Sequence, residues 1–215
     1  MTDKLLALIN EKYRICAVDT GDMGNIKASG MKFSVSAYRA EGLGHVSVMK
    51  ATGFFGLMRM DTLMICPEDV DLPLYSYDRI FAMGNDTLIT ELYDTMLDKC
   101  DCSALEAAKA RYAHIEERDP GKHWYDSIKL SASISKKGKK AQTPELDALT
   151  EEHFAAYLAL DAAKVEDKEA KKEKSRAYVE GLLNNGGPST DAFIKSLGKE
   201  KTAKLFREIL FGTGK

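Results

Sequence analysis

The stretch Leu72-Pro-Leu-Tyr-Ser-Tyr-Asp78 sets one carboxylate among aromatic and aliphatic neighbours. An ionised carboxylate is costly to take out of water, so a buried, unpaired Asp78 would keep its proton to an unusually high pH. A carboxyl still protonated near neutrality can act as a general acid. The alternative is an ordinary turn aspartate at the surface, following a Pro-Leu strand start. Upstream, His45, Ser47, Arg59, Asp61 and Thr62 interrupt segments that are otherwise apolar. Buried polar groups need partners, so one arrangement is a shared cavity lined by several of them, with Asp61 as a second acid. In the other arrangement Arg59 and Asp61, two residues apart on one strand face, meet each other and solvent.

These residues need a sheet to hold them. From Met31 the apolar period is two, with Met31, Phe33, Val35 and Ala37 alternating with polar neighbours. His45 to Ala51 gives a second strand. Leu57 to Cys66 gives a third, apolar on both sides, as expected of a central strand covered on both faces. Pro73 opens a fourth, where a missing backbone donor is tolerated. After the Gly84-Asn85-Asp86 turn, Thr87 to Tyr93 returns as a fifth strand or as a helix. Thr2 caps an amphipathic first helix, Thr20 to Asn25 is a loop, and Ser103-Ala-Leu-Glu106 is a capping box that opens another helix. Trp124 to Ser135 alternates and reads as a strand, and the basic run Ser135 to Lys140 reads as a solvated turn. A long helix is expected from Thr150 to a stop at Asn184-Asn-Gly-Gly-Pro188, with its charged part, Glu166 to Arg176, in water. Two short helices follow, Asp191 to Leu197 and Lys199 to Phe211. An antiparallel meander with helices before and mostly after it, and doubly covered central strands, predicts an α+β, three-layer α/β/α sandwich in one domain, 1–215.

Composition narrows the chemistry. The 215 residues are 44% hydrophobic and 30% charged, the proportions of an ordinary globular protein. With 31 basic and 33 acidic residues there is no bias toward nucleic acid, and none is expected as a partner. No apolar run approaches the roughly 20 residues of a bilayer span, so no membrane partner is expected. The amphipathic N-terminus lacks the pattern of a signal peptide, and a cytoplasmic location is expected. The four cysteines are scattered, and Cys100-Asp-Cys102 is too tight for a C-x2-C zinc pair. GxGxxG, Walker, HExxH and GxSxG motifs are absent, so nucleotide, zinc and serine-hydrolase chemistries have no motif support.

The order of these pieces resembles the ferredoxin-dependent bilin reductases and the related red chlorophyll catabolite reductases. His45-Val-Ser-Val-Met-Lys50 is similar to the family's H-L-E-L-A-K strand, and Thr62-Leu-Met-Ile-Cys-Pro-Glu68 to the strand that leads into F-P-E-P. Leu72 to Asp78 resembles L-P-L-F-G-x-D most closely. Trp124, Thr150-Glu-Glu-His-Phe154 and Lys204-Leu-Phe-Arg-Glu-Ile-Leu-Phe211 look like later family segments, in register from about Met31 onward. The resemblance implies an open-chain tetrapyrrole held between the sheet and the C-terminal helices. Reduction would proceed by single electrons from ferredoxin or flavodoxin, with no flavin, metal or other cofactor, while the protein supplies protons. It also implies that Asp78 matches the family's essential aspartate, and that His45, Ser47 and Thr62 line the site. Lys50, Arg59 and Arg79 become candidates to pair with the pigment's propionates. The family's strand Glu falls at Ser47 and its His at Thr62, or one off at Asp61. Neither hydroxyl can donate a proton near neutrality, so either Asp78 works alone or with Asp61, or the pocket binds a tetrapyrrole without reducing it.

Overall fold

A computed structural model describes residues 1–187 and 189–214; Pro188 and Lys215 lie outside the described residues. In chain order the elements are α1 (Thr2–Lys12), β1 (Ile15–Val18), β2 (Asn25–Ala28), β3 (Met31–Ala40), β4 (Gly44–Gly53), β5 (Met58–Pro67), β6 (Leu74–Ala82) and β7 (Asn85–Tyr93). Then come α2 (Ser103–Ala110), β8 (Ile134–Lys139), α3 (Thr143–Leu158), α4 (Lys168–Asn185), α5 (Thr190–Leu197) and α6 (Lys199–Lys204). Helix α6 runs straight into a π-helical turn, Leu205–Leu210.

The strands form one eight-stranded antiparallel sheet, and consecutive strands from β3 to β7 are neighbours, as a meander requires. Strands β1 and β2 lie end to end along the outer edge of β3, and β8 closes the far side against β7. Because side chains alternate across a strand, each strand feeds two cores. On one side Phe33, Met49, Met64, Leu74 and Tyr93 pack against α4, α5 and the π-helical turn. On the other side Val46, Leu63, Ile65, Tyr75 and Tyr77 pack against α1, α2 and α3. The architecture is the α+β three-layer sandwich with a central antiparallel sheet.

Four expectations are corrected. Trp124–Ile128 is a 3-10 turn rather than a strand, and pairing begins only at Ile134. The basic run belongs to edge strand β8, where Lys136 is buried, donates to the Ile115 carbonyl at 2.9 Å and pairs with Glu117 at 2.7 Å. The long helix is two helices, α3 and α4. The chain between them is diverted to pair with the 69–71 segment, through Asp71 N–H to Ala163 O (2.8 Å) and Val165 N–H to Asp69 O (3.0 Å). Nor is the charged segment entirely in water, because Lys171 is fully buried. Its three protons go to Asp71 Oδ1 (2.9 Å), Leu72 O (2.7 Å) and Thr95 O (2.9 Å). Three acceptors for three donors is what makes such burial tolerable.

Candidate functional site

Between the sheet and the C-terminal helices lies a cleft enclosing about 1060 Å³ of empty space, open solvent at its mouth included. Its floor is the inner face of β4 to β7: Met49, Met60, Thr62, Met64, Asp78 and Glu91. Its walls are aromatic, built from Tyr125, Tyr178, Phe193, Phe206 and Phe211 with Tyr93 of β7, and Tyr178 meets Phe211 edge-on at 5.9 Å. Tyr93 and Tyr178 stack at 4.3 Å between ring centres, and Tyr125 meets Tyr93 edge-on at 5.4 Å. Arg118 and His123 add nitrogen donors to this apolar lining.

The walls need two close approaches that only glycine permits. Trp124 lies against Gly181 of α4, where a Cβ would come within 2.1 Å of the indole, and its Nε1–H donates to Gly186 O at 2.9 Å. Gly212 has φ +67° and sits against His45, where a Cβ would fall 2.5 Å from the imidazole.

On the floor, Asp78 is half-buried, and Thr62, opposite it in the β5–β6 register, donates a hydrogen bond to its Oδ1. Among the described residues Thr62 is the carboxyl's one hydrogen-bond partner. Burial pushes the Asp78 carboxyl up to about 6. The Thr62 hydroxyl acts against that shift, and the nearby Glu91 charge adds to it. Glu91 stands diagonally across β7 from Asp78, accepts from the Tyr93 hydroxyl at 2.6 Å, and lies 3.7 Å from Lys129. The cleft therefore holds two carboxyl groups, one kept partly protonated near neutral pH and the other engaged by a phenol and an ammonium.

The eight residues singled out in the sequence divide between the two faces of the sheet. Asp78, Thr62, His45 and Ser47 are on the cleft side. His45 and Ser47, however, are not free to line the space. His45 Nε2 is 2.8 Å from Ile209 O, and Ser47 Oγ donates to Leu210 O at 2.8 Å. Burial lowers the His45 pKa, so the neutral ring donates through Nε2–H. These two side chains clip the π-helical turn, whose last carbonyls lack helical partners, onto strand β4.

Asp61, Arg59, Lys50 and Arg79 are on the opposite face, because each is an odd number of residues from the cleft-facing positions of its own strand. Arg79 is buried and holds Asp86 through two hydrogen bonds, with Asp147 at 3.3 Å. Lys50 pairs with Asp3 at 2.7 Å, and Arg59 lies over the Phe81 ring at 4.3 Å. Asp61 faces Arg79 in the β5–β6 register, and the sheet stands between it and Asp78. The sequence reading overlooked Glu91, Arg118, His123 and the tyrosines. Glu91 had a signal: it falls in phase with Ile89 and Tyr93 on a strand whose other phase is Leu88, Thr90 and Leu92.

The three-layer antiparallel sandwich is shared with a known structure. A solved structure similar to this chain is that of phytochromobilin synthase from tomato, crystallised in complex with biliverdin. The TM-score is 0.74 and the identity 11%, over 99% of this chain and 83% of that one. The likeness is one of fold. No protein-family model and no curated protein sequence matches the chain.

Proposed function

We propose that this protein is a bilin-reductase-like oxidoreductase that takes an open-chain tetrapyrrole into the cleft and reduces one of its double bonds. The observation that carries this is Asp78: a carboxyl on the floor of an apolar cleft, held up to about 6 with only a hydroxyl for a partner. A group with that pKa is protonated often enough near neutrality to give up its proton, and basic enough to recover it. The neighbouring fold, seen with biliverdin, makes a linear pigment the substrate class to try first.

Reducing one carbon–carbon double bond takes two electrons and two protons. The electrons come singly from a ferredoxin- or flavodoxin-type donor, and the pigment itself holds the unpaired electron between the two transfers. Asp78 delivers a proton to the reacting carbon or nitrogen and is reprotonated from solvent through the cleft mouth. Glu91, with the Tyr93 hydroxyl hydrogen-bonded to it, is placed to relay the second proton. The tyrosine walls exclude water from the radical, and Arg118 and His123 are the cleft residues suited to pigment carboxylates. A reducing cytoplasmic setting is in keeping with four free cysteines.

A carrier that binds the pigment without reducing it is the second reading. It is favoured by the absence of a second strong proton donor at Ser47 and Thr62, the former being bonded to the helix end. One experiment separates the two. Titration with biliverdin should shift and sharpen its absorption bands, and a reduced ferredoxin system should then bleach them to a shorter-wavelength product. Asp78→Asn should bind and not turn over. Band shifts without product would favour the carrier, and no shift at all would remove both readings.

A further inference from the structure

Five large apolar side chains are exposed among the described residues, and four of them crowd onto two neighbouring hairpin turns. Phe54 (57% exposed), Phe55 (108%) and Leu57 (74%) are in the β4–β5 turn, and Met83 (93%) is in the β6–β7 turn. Pairing of Met58 with Ala82 sets the two turns side by side at one end of the sheet. Three of these residues have left-handed backbone, with φ 51° at Phe54, 56° at Phe55 and 52° at Met83. Bulky residues adopt that conformation at a cost, and strained display of apolar side chains is characteristic of a working surface. Around the tips there is open space: a Cβ built on Gly56 or Gly84 meets nothing within 4 Å.

Just inside the tips the register aligns Lys27, Lys32, Thr52, Arg59 and Phe81 in one row across the sheet. Lys139 and Lys140 stand at the same end, because Asn85 pairs with Lys139. The cations of this row and Lys140 are exposed and take part in no ion pair given among the described residues. Two nearby carboxylates, Asp86 and Asp147, are drawn inward to Arg79, while Asp61 lies two residues further from the tip than Arg59.

We infer that this end of the sheet is a peripheral membrane contact, with Phe55, Leu57 and Met83 entering the headgroup–acyl boundary of an anionic bilayer while the lysines and Arg59 meet lipid phosphates. A projecting apolar tip ringed by cations suits a soft, negatively charged phase. A second copy of the chain would bring like charges together at the same contact. A transient electron donor would dock on a small polar patch and would not need bare phenyl groups. The contact requires no spanning segment, and no helix among the described residues is long and apolar enough to cross a membrane.

The test is co-sedimentation of the full chain with vesicles of phosphatidylcholine and phosphatidylglycerol, and with vesicles of phosphatidylcholine alone. Binding should need phosphatidylglycerol and fall as salt is raised. It should weaken about tenfold in Lys27→Glu/Lys32→Glu, and by about a hundredfold in Phe55→Ser/Leu57→Ser/Met83→Ser. Near-UV circular dichroism checks that the variants are folded, and Phe55→Ser alone serves if the triple variant is not. The inference is overturned by no binding to anionic vesicles, or by equal binding of the apolar variants. It is equally overturned if these substitutions leave vesicle binding intact and change only the affinity for the electron donor or a self-association seen by sedimentation velocity. None of these outcomes depends on whether the cleft turns over a pigment.

Discussion

Asp78 and Arg79 are neighbours on strand β6, and the pleat sends one to each side of the sheet with opposite consequences. On the α1–α3 side the charge is matched. Arg79 is held by Asp86 and Asp147 beside a hollow that Arg59, Asp61 and Phe81 also line, and Tyr75, Phe154 and Tyr157 pack a core further along the same face. On the α4–α6 side the charge is unmatched. Asp78 has a hydroxyl and a neighbouring carboxylate, and above it is a cleft instead of a core. A matched buried charge costs little and serves architecture, while an unmatched one is tolerated where chemistry needs it. The two faces should therefore fail differently when altered.

The largest effect is expected on the face with the matched charge. Arg79→Met leaves Asp86 buried without its cation and should cost about 3–5 kcal/mol of stability, read from the urea midpoint, with Arg79→Met/Asp86→Leu recovering most of it. If the single variant is as stable as the parent, the contrast between the faces is wrong. Asp78→Asn should do the reverse, lowering turnover by about 10²–10⁴ while the urea midpoint is held or raised.

The pH dependence follows from the same carboxyl. Its folded pKa of about 6 lies above the ordinary 3.8, so the folded state holds more protons between those values, and stability falls as pH rises through that window. The loss is at most about 3 kcal/mol and is reduced by water in the cleft, and Asp78→Asn should abolish it. Turnover, which needs the protonated acid, should decline above about pH 6. The smallest expected effect comes from Thr62→Val. Its lost hydroxyl no longer stabilises the carboxylate, so the descending limb of the pH–rate profile should move upward by a unit or less.

The strands of the meander and the apolar setting of Asp78 were legible in the sequence because both depend on local pattern: period two, apolar runs, and one carboxylate among aromatics. The side of the sheet was legible too, but only by counting parity along each strand. Grouping Asp61 and Arg79 with Asp78 by strand membership passed over the pleat. Other features were set at long range. Ala132 and Ile134 continue an alternation that begins at Ile128, yet Trp124 to Ile128 folds into a 3-10 turn against α4. No glycine or proline marks the break between α3 and α4, and the local signal is Asp167, whose side chain caps α4 by accepting from Ala170 N–H at 2.9 Å. A pairing with residues 69–71, roughly a hundred positions earlier in the chain, makes the break. Lys171 looks like a solvated charge until Asp71 and two carbonyls converge on it.

The clip between His45, Ser47 and the carbonyls of Ile209 and Leu210 has a bearing on when the molecule becomes competent. Its two halves are translated more than 160 codons apart, and a ribosome adding about 5–20 residues per second releases the second half many seconds after the first. Until then the sheet's methionine-lined floor lacks the part of its roof that the π-helical turn supplies. A ligand present during synthesis would meet a partly open platform, and a closed chamber must wait for the π-helical turn to arrive.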